Sequence, residues 1–346
     1  MSEPNNQTLR TVNDLLKHGL IAASHAGDID AVAERYAIAI SPAITALINT
    51  NAINDPIARQ FVPTSEELHT LPHESADPIA DAAHSPIEGV VHRYPDRVLL
   101  KVVHACPVYC RFCFRREMVG PGGKSLTGAK LDAALAYIAA NPSIWEVILT
   151  GGDPFILTPR RAADLMRRLG AIAHVKVIRW HTRVPMVDPD RVTPAFVKAL
   201  RIPGKATYVA IHANHPLEFG DAARAALARL ADAGLVLVSQ SVLLKGVNND
   251  VETLSSLMRC FVENRVKPYY LHHPDLAPGT AHFRMSIAQG QALVKALRGQ
   301  LSGLCQPEYV LDIPGGHGKA PIGTRYLRSD TEIEDYRGGI HTLSEP

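Results

Sequence analysis

Three of the five cysteines of this 346-residue chain lie close together, in the stretch HACPVYCRFCFRRE at residues 104–117. Cys106, Cys110 and Cys113 follow the pattern C-x3-C-x2-C, and arginines and aromatic residues surround them. An odd number of cysteines, three of them clustered, fits a metal site in a reducing compartment better than a framework of disulfides. The stretch therefore predicts a metal-binding loop.

Three thiolates suit an iron–sulfur cluster better than a zinc ion. A tetrahedral zinc site usually takes four nitrogen or sulfur ligands, so a fourth ligand would have to come from elsewhere in the chain. A [4Fe-4S] cluster held by three cysteines leaves one iron open for a small molecule. Inert buried thiols are the third alternative, and the polar loop residues Tyr109, Arg111, Arg115 and Arg116 argue against it.

Two glycine-rich segments could also bind small molecules. The segment TGGDP at residues 150–154 has glycines that let the backbone approach a ligand, although an ordinary turn between a strand and a helix would explain them too. The segment VLDIPGGHGKAPIG at residues 310–323 presents Lys319 after a glycine-rich loop. A lysine can form a Schiff base with pyridoxal phosphate (PLP), whereas surface charge is the default role of a lysine. Both pairs of alternatives stay open at this point.

The elements that position these segments form a predicted α/β fold. From residue 97 onward, short β-branched apolar runs alternate with helix-like stretches. The six predicted strands are RVLLKVVHA, WEVILT, VKVIRWH, ATYVAIH, LVLVSQSVLL and RVKPYYLH. Six βα units can curl into an open partial barrel, in which ligands bind beyond the C-terminal ends of the strands. The cysteine loop follows the first strand and the TGGDP segment follows the second, so both lie at the expected functional end.

The chain is predicted to have three regions. Residues 1–90 form a helical region with a linker, because TLRTVNDLLKHGL and AVAERYAIAISPAITALIN have helical periodicity. The proline- and histidine-containing stretch at 62–89 is too polar and interrupted for one regular element, and is a linker or a wrapping segment. Residues 91–301 form the partial barrel, and residues 302–346 form a C-terminal segment that carries Lys319.

Composition and charge restrict the possible partners. A hydrophobic content of 46%, a charged content of 20% and a net charge of +2 indicate a soluble globular protein and argue against a nucleic-acid partner. No apolar run approaches the ~20 residues of a membrane span, and the N-terminus lacks the pattern of a signal peptide. We therefore expect a cytoplasmic protein with no membrane partner.

The cysteine spacing, with an aromatic residue directly before the third cysteine, resembles that of radical S-adenosylmethionine (SAM) enzymes. The resemblance implies a [4Fe-4S] cluster whose open iron binds the amino and carboxylate groups of SAM. One electron from the cluster would cleave SAM to methionine and a 5′-deoxyadenosyl radical. The SAM contacts that the resemblance implies are Thr150, Gly151, Gly152, Asp153, His212 and Gln240.

Within that superfamily, three segments together resemble the lysine 2,3-aminomutase family, over most of residues 85–325. They are the tail pattern PGG-x-GK, the stretch HRYPDR and the loop CPVYCRFCFRR. The resemblance implies that Lys319 is the catalytic lysine that binds PLP. Arg93, Tyr94 and Arg97 would hold the coenzyme and its phosphate, a role that suits the planar donors of arginine.

The same resemblance implies a substrate and a reaction. Arg115 would bind the substrate α-carboxylate, and Asp275 and Asp312 would bind the ε-ammonium of lysine. A glutamate-specific relative would be expected to avoid two acids at those positions. The implied enzyme is an isomerase that moves the amino group of L-lysine from C2 to C3 and gives β-lysine.

Two features separate this chain from parts of the family. Longer members that act on free lysine carry extra cysteines for a structural zinc, but here the corresponding position is Asp250 and no cysteine follows Cys305. We therefore expect no structural zinc, and we predict that Cys260 and Cys305 are packing residues. A shorter branch supplies β-lysine for elongation factor P and departs from PGG-x-GK, which this chain keeps.

Several alternatives stay open from the sequence. The substrate could be free lysine, lysine destined for elongation factor P, or a related diamino acid. A radical SAM enzyme without PLP and a noncatalytic metal-binding module are less favoured, because polar residues follow several of the predicted strands. The expected partners are an amino acid, a reducing electron donor such as flavodoxin or ferredoxin, and further copies of the chain.

Overall fold

The computed structural model describes residues 7–123 and 125–343. Within these ranges nine strands form one sheet in chain order, β1 to β9, and the sheet curls into a half-barrel. Strands β2 to β8 run parallel, while β1 and β9 pair antiparallel with their neighbours at the two edges. The strand bounds are β1 Val90–Tyr94, β2 Arg97–Val103, β3 Glu146–Gly151, β4 Val177–Thr182, β5 Ala206–His212, β6 Val236–Val242, β7 Lys267–His272, β8 Glu308–Asp312 and β9 Lys319–Pro321, with a separate hairpin of β10 Glu332–Glu334 and β11 Ile340–Thr342.

The longer helices alternate with the parallel strands, and their apolar faces join one large core with the sheet. Trp180 of β4, for example, is fully buried and its ring lies 5.8 Å from that of Phe155 and 6.3 Å from that of Phe196. The helix bounds in the described ranges are α1 Val12–Lys17, α2 Ala26–Arg35, α3 Pro42–Thr45, α4 Pro56–Phe61, α5 Ala129–Ala140, α6 Pro159–Gly170, α7 Val184–Val187, α8 Pro194–Ala199, α9 Asp221–Asp232, α10 Val251–Glu263 and α11 Ile287–Leu297. None of these helices is long and apolar enough to cross a membrane.

The partial barrel is confirmed, and each of the six predicted strands is present in the sheet. The short apolar strand predicted before the glycine-rich loop is also present as β8; it follows α11 and adds a seventh parallel strand to the six that were counted in the barrel. A glycine in the middle of α11 weakens the helical pattern, since glycine is a poor helix former. The structure shows why a glycine stands in this helix: a Cβ atom on Gly290 would lie 2.0 Å from the hydroxyl of Tyr309 on β8. The glycine lets α11 pack directly on that strand.

One predicted helical stretch is partly wrong. The segment at residues 31–49 is not one run of helix, because α2 ends at Arg35 and the chain is extended to Ser41. Ile40 pairs with Leu9 in an antiparallel bridge and is fully buried. Proline disfavours helical backbone in the residue before it, so Pro42 prevents helix at Ser41 and starts α3 instead.

The two remaining cysteines and Asp250 have structural roles. Cys305 is buried in the core, and Cys260 packs against it, as predicted. Asp250 caps α10, because its carboxylate accepts a hydrogen bond from the backbone N–H of Thr253 at 2.8 Å. A side chain engaged in this way stabilises the start of a helix.

Candidate active site

The cysteine loop follows β2, as predicted, and the N-terminal region holds it in place. The backbone N–H of Tyr109 donates to the carbonyl of Ala39 at 3.1 Å, and that of Arg111 donates to the carbonyl of Gln60 at 2.8 Å. Within the loop, the N–H of Cys113 donates to the carbonyl of Cys110. The extended segment and α4 therefore fix the loop from outside the barrel.

The three thiols lie in a half-buried setting that suits a bound cluster. All three cysteines are free, and burial raises the pKa of the Cys113 thiol to about 11 and also raises the pKa values of Cys106 and Cys110. A thiol loses its proton when it binds a metal, and the positive charge of the metal then stabilises the thiolate. Among the described residues no group of three or more histidines, cysteines or acids converges on a single ion. A set of three thiols, each able to bind a different iron, fits a [4Fe-4S] cluster with one open iron.

Glu67 connects the wrapping segment to this loop. Its carboxylate is fully buried and accepts from Nε of Arg111 at 2.9 Å and from Nη2 at 2.6 Å, and it also pairs with Arg116. These two guanidiniums hold the pKa of Glu67 below its usual value despite burial. The stretch at 62–89 is thus a wrapping segment, and its acids neutralise arginines of the cysteine loop.

We predict that Glu67→Gln lowers the free energy of unfolding by about 3–5 kcal/mol, because removal of one partner leaves buried charges unpaired. Chemical denaturation under anaerobic conditions measures the effect. Glu88→Gln is the matched control, since the Glu88–Lys130 pair has 60% of each side chain exposed and should contribute within about 0.5 kcal/mol. Equal effects of the two substitutions would contradict a structural role for Glu67.

The TGGDP segment turns against the cysteine loop. Gly151 has φ +110°, and a Cβ atom there would lie 2.2 Å from the carbonyl oxygen of Val103. A Cβ atom on Gly152 would lie 2.2 Å from the carbonyl oxygen of Ala105, directly before Cys106. Only glycine permits this close approach of the two backbones.

Asp153 faces inward from this turn. Its carboxylate accepts from the Thr182 hydroxyl at 2.8 Å, from the backbone N–H of Arg183 at 2.7 Å and from that of Phe155 at 2.9 Å. These internal donors occupy the carboxylate and join the end of β3 to the end of β4. A SAM contact from this residue would therefore come from its backbone, which agrees with the expectation that the backbone of the glycine turn approaches the ligand.

His212 and Gln240 are neighbours in the sheet, as Cα partners of β5 and β6. The His212 ring lies 5.7 Å from that of Phe112 in the cysteine loop. Its Nε2 atom is buried and has no hydrogen-bond partner in the part of the chain that the structure describes. Burial holds the pKa of His212 well below its usual value, so the ring is neutral. An unsatisfied buried nitrogen next to the loop fits a ligand that is bound there.

Lys319 lies at the start of β9, the last strand of the sheet. Its Nζ atom donates to both carboxylate oxygens of Asp312, at 2.6 and 2.5 Å. Its backbone N–H donates to the hydroxyl of Tyr94 at 2.7 Å. The preceding loop has three glycines in the left-handed region, Gly315, Gly316 and Gly318, with φ values of +84°, +83° and +92°. The loop therefore exposes backbone beside the lysine, as a coenzyme cradle requires.

Asp81 brings two of the predicted arginines together. It is 1% exposed and accepts from Nη2 of Arg115 at 2.9 Å and, more distantly, from Nη2 of Arg93 at 3.4 Å. Arg97 differs from these, because it stacks on the Tyr94 ring at 3.8 Å and pairs with the exposed Asp96. The sequence did not indicate Asp81, since one aspartate in an irregular segment carries no pattern.

The predicted acid pair lies near Lys319. Burial and the nearby Asp312 carboxylate raise the pKa of Asp275 to about 7, against the opposing effect of Lys319, Arg115 and Arg93. Asp312 also lies 3.5 Å from Nδ1 of His272, and these partners hold its pKa below the usual value. The structure thus gathers acids, arginines and the lysine at one end of the barrel.

His181, at the end of β4, belongs to the same surroundings, and the sequence did not single it out. Its buried Nε2 has no partner among the described residues, and burial together with nearby cations holds its pKa well below the usual value. A histidine at the end of a strand carries no sequence signal that separates it from a packing residue.

The fold and the site define the class of this protein: it is a radical SAM enzyme, and residues 100–258 match the family model described as the radical SAM superfamily. The L-lysine 2,3-aminomutase of Acetoanaerobium sticklandii is 37% identical over 98% of this chain and 82% of its own length. That of Fusobacterium nucleatum is 36% identical over 98% and 80%. The glutamate 2,3-aminomutase of Clostridioides difficile is 35% identical over 87% of this chain and 71% of its own length.

The chain belongs to the lysine 2,3-aminomutase family. Members of this family are isomerases that use a [4Fe-4S] cluster, SAM and PLP. The residues described above fit these groups: three half-buried thiols, a tight glycine turn with an unsatisfied histidine, and a glycine loop that ends at a lysine.

Proposed function

We propose that this protein converts L-lysine to β-lysine. The observation that carries the proposal is the pair of acids, the half-buried Asp275 and the buried Asp312, near Lys319 at the end of the barrel. An ammonium group is the natural partner of two carboxylates in a buried setting. A glutamate side chain at this position would instead meet like charges, and the relatives include enzymes named for each of the two amino acids.

We assign the binding of the coenzymes as follows. Cys106, Cys110 and Cys113 hold the cluster, and the backbone of the glycine turn holds SAM together with His212 and Gln240. Lys319 holds PLP, with Tyr94, Arg93 and the glycine loop, while Arg97 contributes from the mouth of the site. When bound, the reduced cluster and SAM supply a 5′-deoxyadenosyl radical, and PLP supplies the conjugated system through which the amino group migrates from C2 to C3.

The protein itself contributes positioning and charge. Arg115 binds the substrate α-carboxylate, and Asp81 holds the guanidinium of Arg115 in place. The two aspartates bind the ε-ammonium at the other end of the substrate. A substrate held at both ends presents one hydrogen of C3 to the radical, which is the geometric requirement of the reaction. Lys319 donates to Asp312 in the structure, and if Lys319 held PLP instead, that carboxylate would be available to the ε-ammonium of the substrate.

We predict that the KM for L-lysine rises as the pH falls below about 7, because Asp275 then gains a proton and loses its attraction for the ammonium. The sign follows from the raised pKa of Asp275: the carboxylate is charged above that pKa and neutral below it. For one group the KM should rise about tenfold per pH unit below the transition. Steady-state kinetics between pH 5.5 and 8.5 measure it.

Asp275→Asn is the control for this pH dependence. The variant should show a high KM for lysine at all pH values, with the transition near neutral pH gone. A variant that keeps the transition would assign it to another group.

Turnover of L-lysine and L-glutamate under identical anaerobic conditions tests the substrate. We expect turnover of lysine alone, and preference for glutamate would overturn the proposal. Four further points stay predictions: an electron donor such as flavodoxin or ferredoxin, the supply of β-lysine for elongation factor P, the homo-oligomeric state and the cytoplasmic location.

A further inference from the structure

Arg183 makes a contact with the cysteine loop that none of the assigned roles uses. It follows β4, and its Nη1 atom donates to the Sγ atom of Cys110 at 3.0 Å. Its Nη2 atom donates to Gln60 at 2.6 Å and to the carboxylate of Glu218 at 2.8 Å. The residue is 6% exposed and Glu218 is fully buried, so this charge pair lies out of solvent beside a cluster ligand.

The position of Arg183 is fixed from its backbone outward. Its N–H donates to Asp153 of the glycine turn at 2.7 Å. The guanidinium carbon lies 4.6 Å from the centroid of the Phe61 ring and 5.3 Å from that of Phe112. These contacts, together with the two side-chain acceptors, fix the orientation of the guanidinium. In this orientation Nη1 points at the sulfur of Cys110.

The other arginines near the loop are engaged elsewhere. Arg111 and Arg116 pair with Glu67, and Arg115 pairs with Asp81. In the described ranges, no other side-chain nitrogen donates to the three clustered thiols. Arg183 is therefore the side chain through which the protein can adjust the charge at a cluster sulfur.

We propose that Arg183 is a positioning residue that raises the reduction potential of the cluster through Cys110, and that Glu218 moderates this effect. Reduction adds one electron to the cluster, and the added negative charge is stabilised by a cation and by an N–H···S hydrogen bond. Burial strengthens both interactions, because the effective dielectric constant is lower than in water. The buried Glu218 carboxylate acts in the opposite sense.

The inference rests on the assignment of the cluster to the three cysteines in the proposed function. Iron and sulfide content of the reconstituted protein tests that assignment separately. A wild-type chain without four irons per protein would end the cluster assignment, whereas a normal cluster with unaltered potentials in the variants would end only the inference about Arg183.

The test is a redox titration with dithionite, followed by the electron paramagnetic resonance of the reduced cluster. Arg183→Gln should lower the ratio of reduced to oxidised cluster about tenfold at a fixed solution potential, which corresponds to about 59 mV for one electron. Glu218→Gln should shift the ratio in the opposite direction. Arg179→Gln is the control, because Arg179 is also on β4 but pairs with Glu146 at the start of β3 and should leave the potential unchanged.

The opposite signs separate tuning of the potential from a loss of structure. If both variants shift the potential in the same direction, or neither shifts it, the inference is wrong. If Arg183→Gln fails to retain the cluster, Glu218→Gln alone decides, since it keeps the Arg183 contact and must raise the potential. A lowered or unaltered potential in that variant would overturn the proposal.

Discussion

Cys113→Ala is expected to remove the iron–sulfur cluster and with it all cleavage of SAM. In the proposed site three thiols hold the cluster, and the two that remain in the variant would leave two of its irons without a protein ligand. Activity should fall by more than about 100-fold, beyond the 10- to 100-fold that changes around the ligands cost. Iron and sulfide analysis and the visible absorbance of the reconstituted protein measure the loss.

Cys260→Ala is the matched control for this substitution. Cys260 is a half-buried thiol on α10 that packs against the core, away from the cysteine loop. The control should keep a full cluster and should lose only a modest part of the unfolding free energy. A Cys113→Ala variant that retains full cluster absorbance would contradict the cluster assignment.

Lys319→Ala is expected to abolish covalent binding of PLP while it leaves the cluster intact. The lysine directly follows the glycine loop, which exposes the backbone beside it for a coenzyme. Turnover should fall at least about 100-fold, the lower end of what removal of a positioned catalytic group costs. Borohydride reduction followed by peptide mass analysis detects the covalent link, and iron analysis reports the cluster.

Lys295→Ala is the control for the lysine substitution. The Lys295 side chain has 32% of its surface exposed, against 29% for Lys319, and it pairs with Glu334 rather than with an acid of the site. This variant should bind PLP normally. Loss of both PLP and cluster in Lys319→Ala would indicate general damage and would argue against separate roles.

The elements with a strong local pattern could be predicted from sequence. The strand that precedes the cysteine loop, with its alternation of buried and partly exposed residues, is one example. The glycine loop before Lys319 is another, because its three glycines have positive φ values that other residues rarely adopt. Such features depend on residues close together in the chain.

The charge pairs that hold the site could not be predicted in the same way. Glu67 and Asp81 lie in an irregular segment and meet arginines that are 44 and 34 residues away in sequence. The pairing depends on the path of the wrapping segment past the cysteine loop. No periodic pattern of neighbouring residues indicates that path. The partners of the Asp153 carboxylate show the same limit, because they lie about 30 residues further along the chain, at Thr182 and Arg183.

The conversion of L-lysine to β-lysine is the most direct test of the proposed activity. The protein, reconstituted anaerobically with iron, sulfide and PLP, is incubated with SAM, a reductant and L-lysine, and the products are separated by chromatography. We expect β-lysine, with the amino group on C3, at a yield of many turnovers per chain. Cleavage of SAM with lysine unchanged would contradict it, and would place the error in the roles of Asp275 and Asp312.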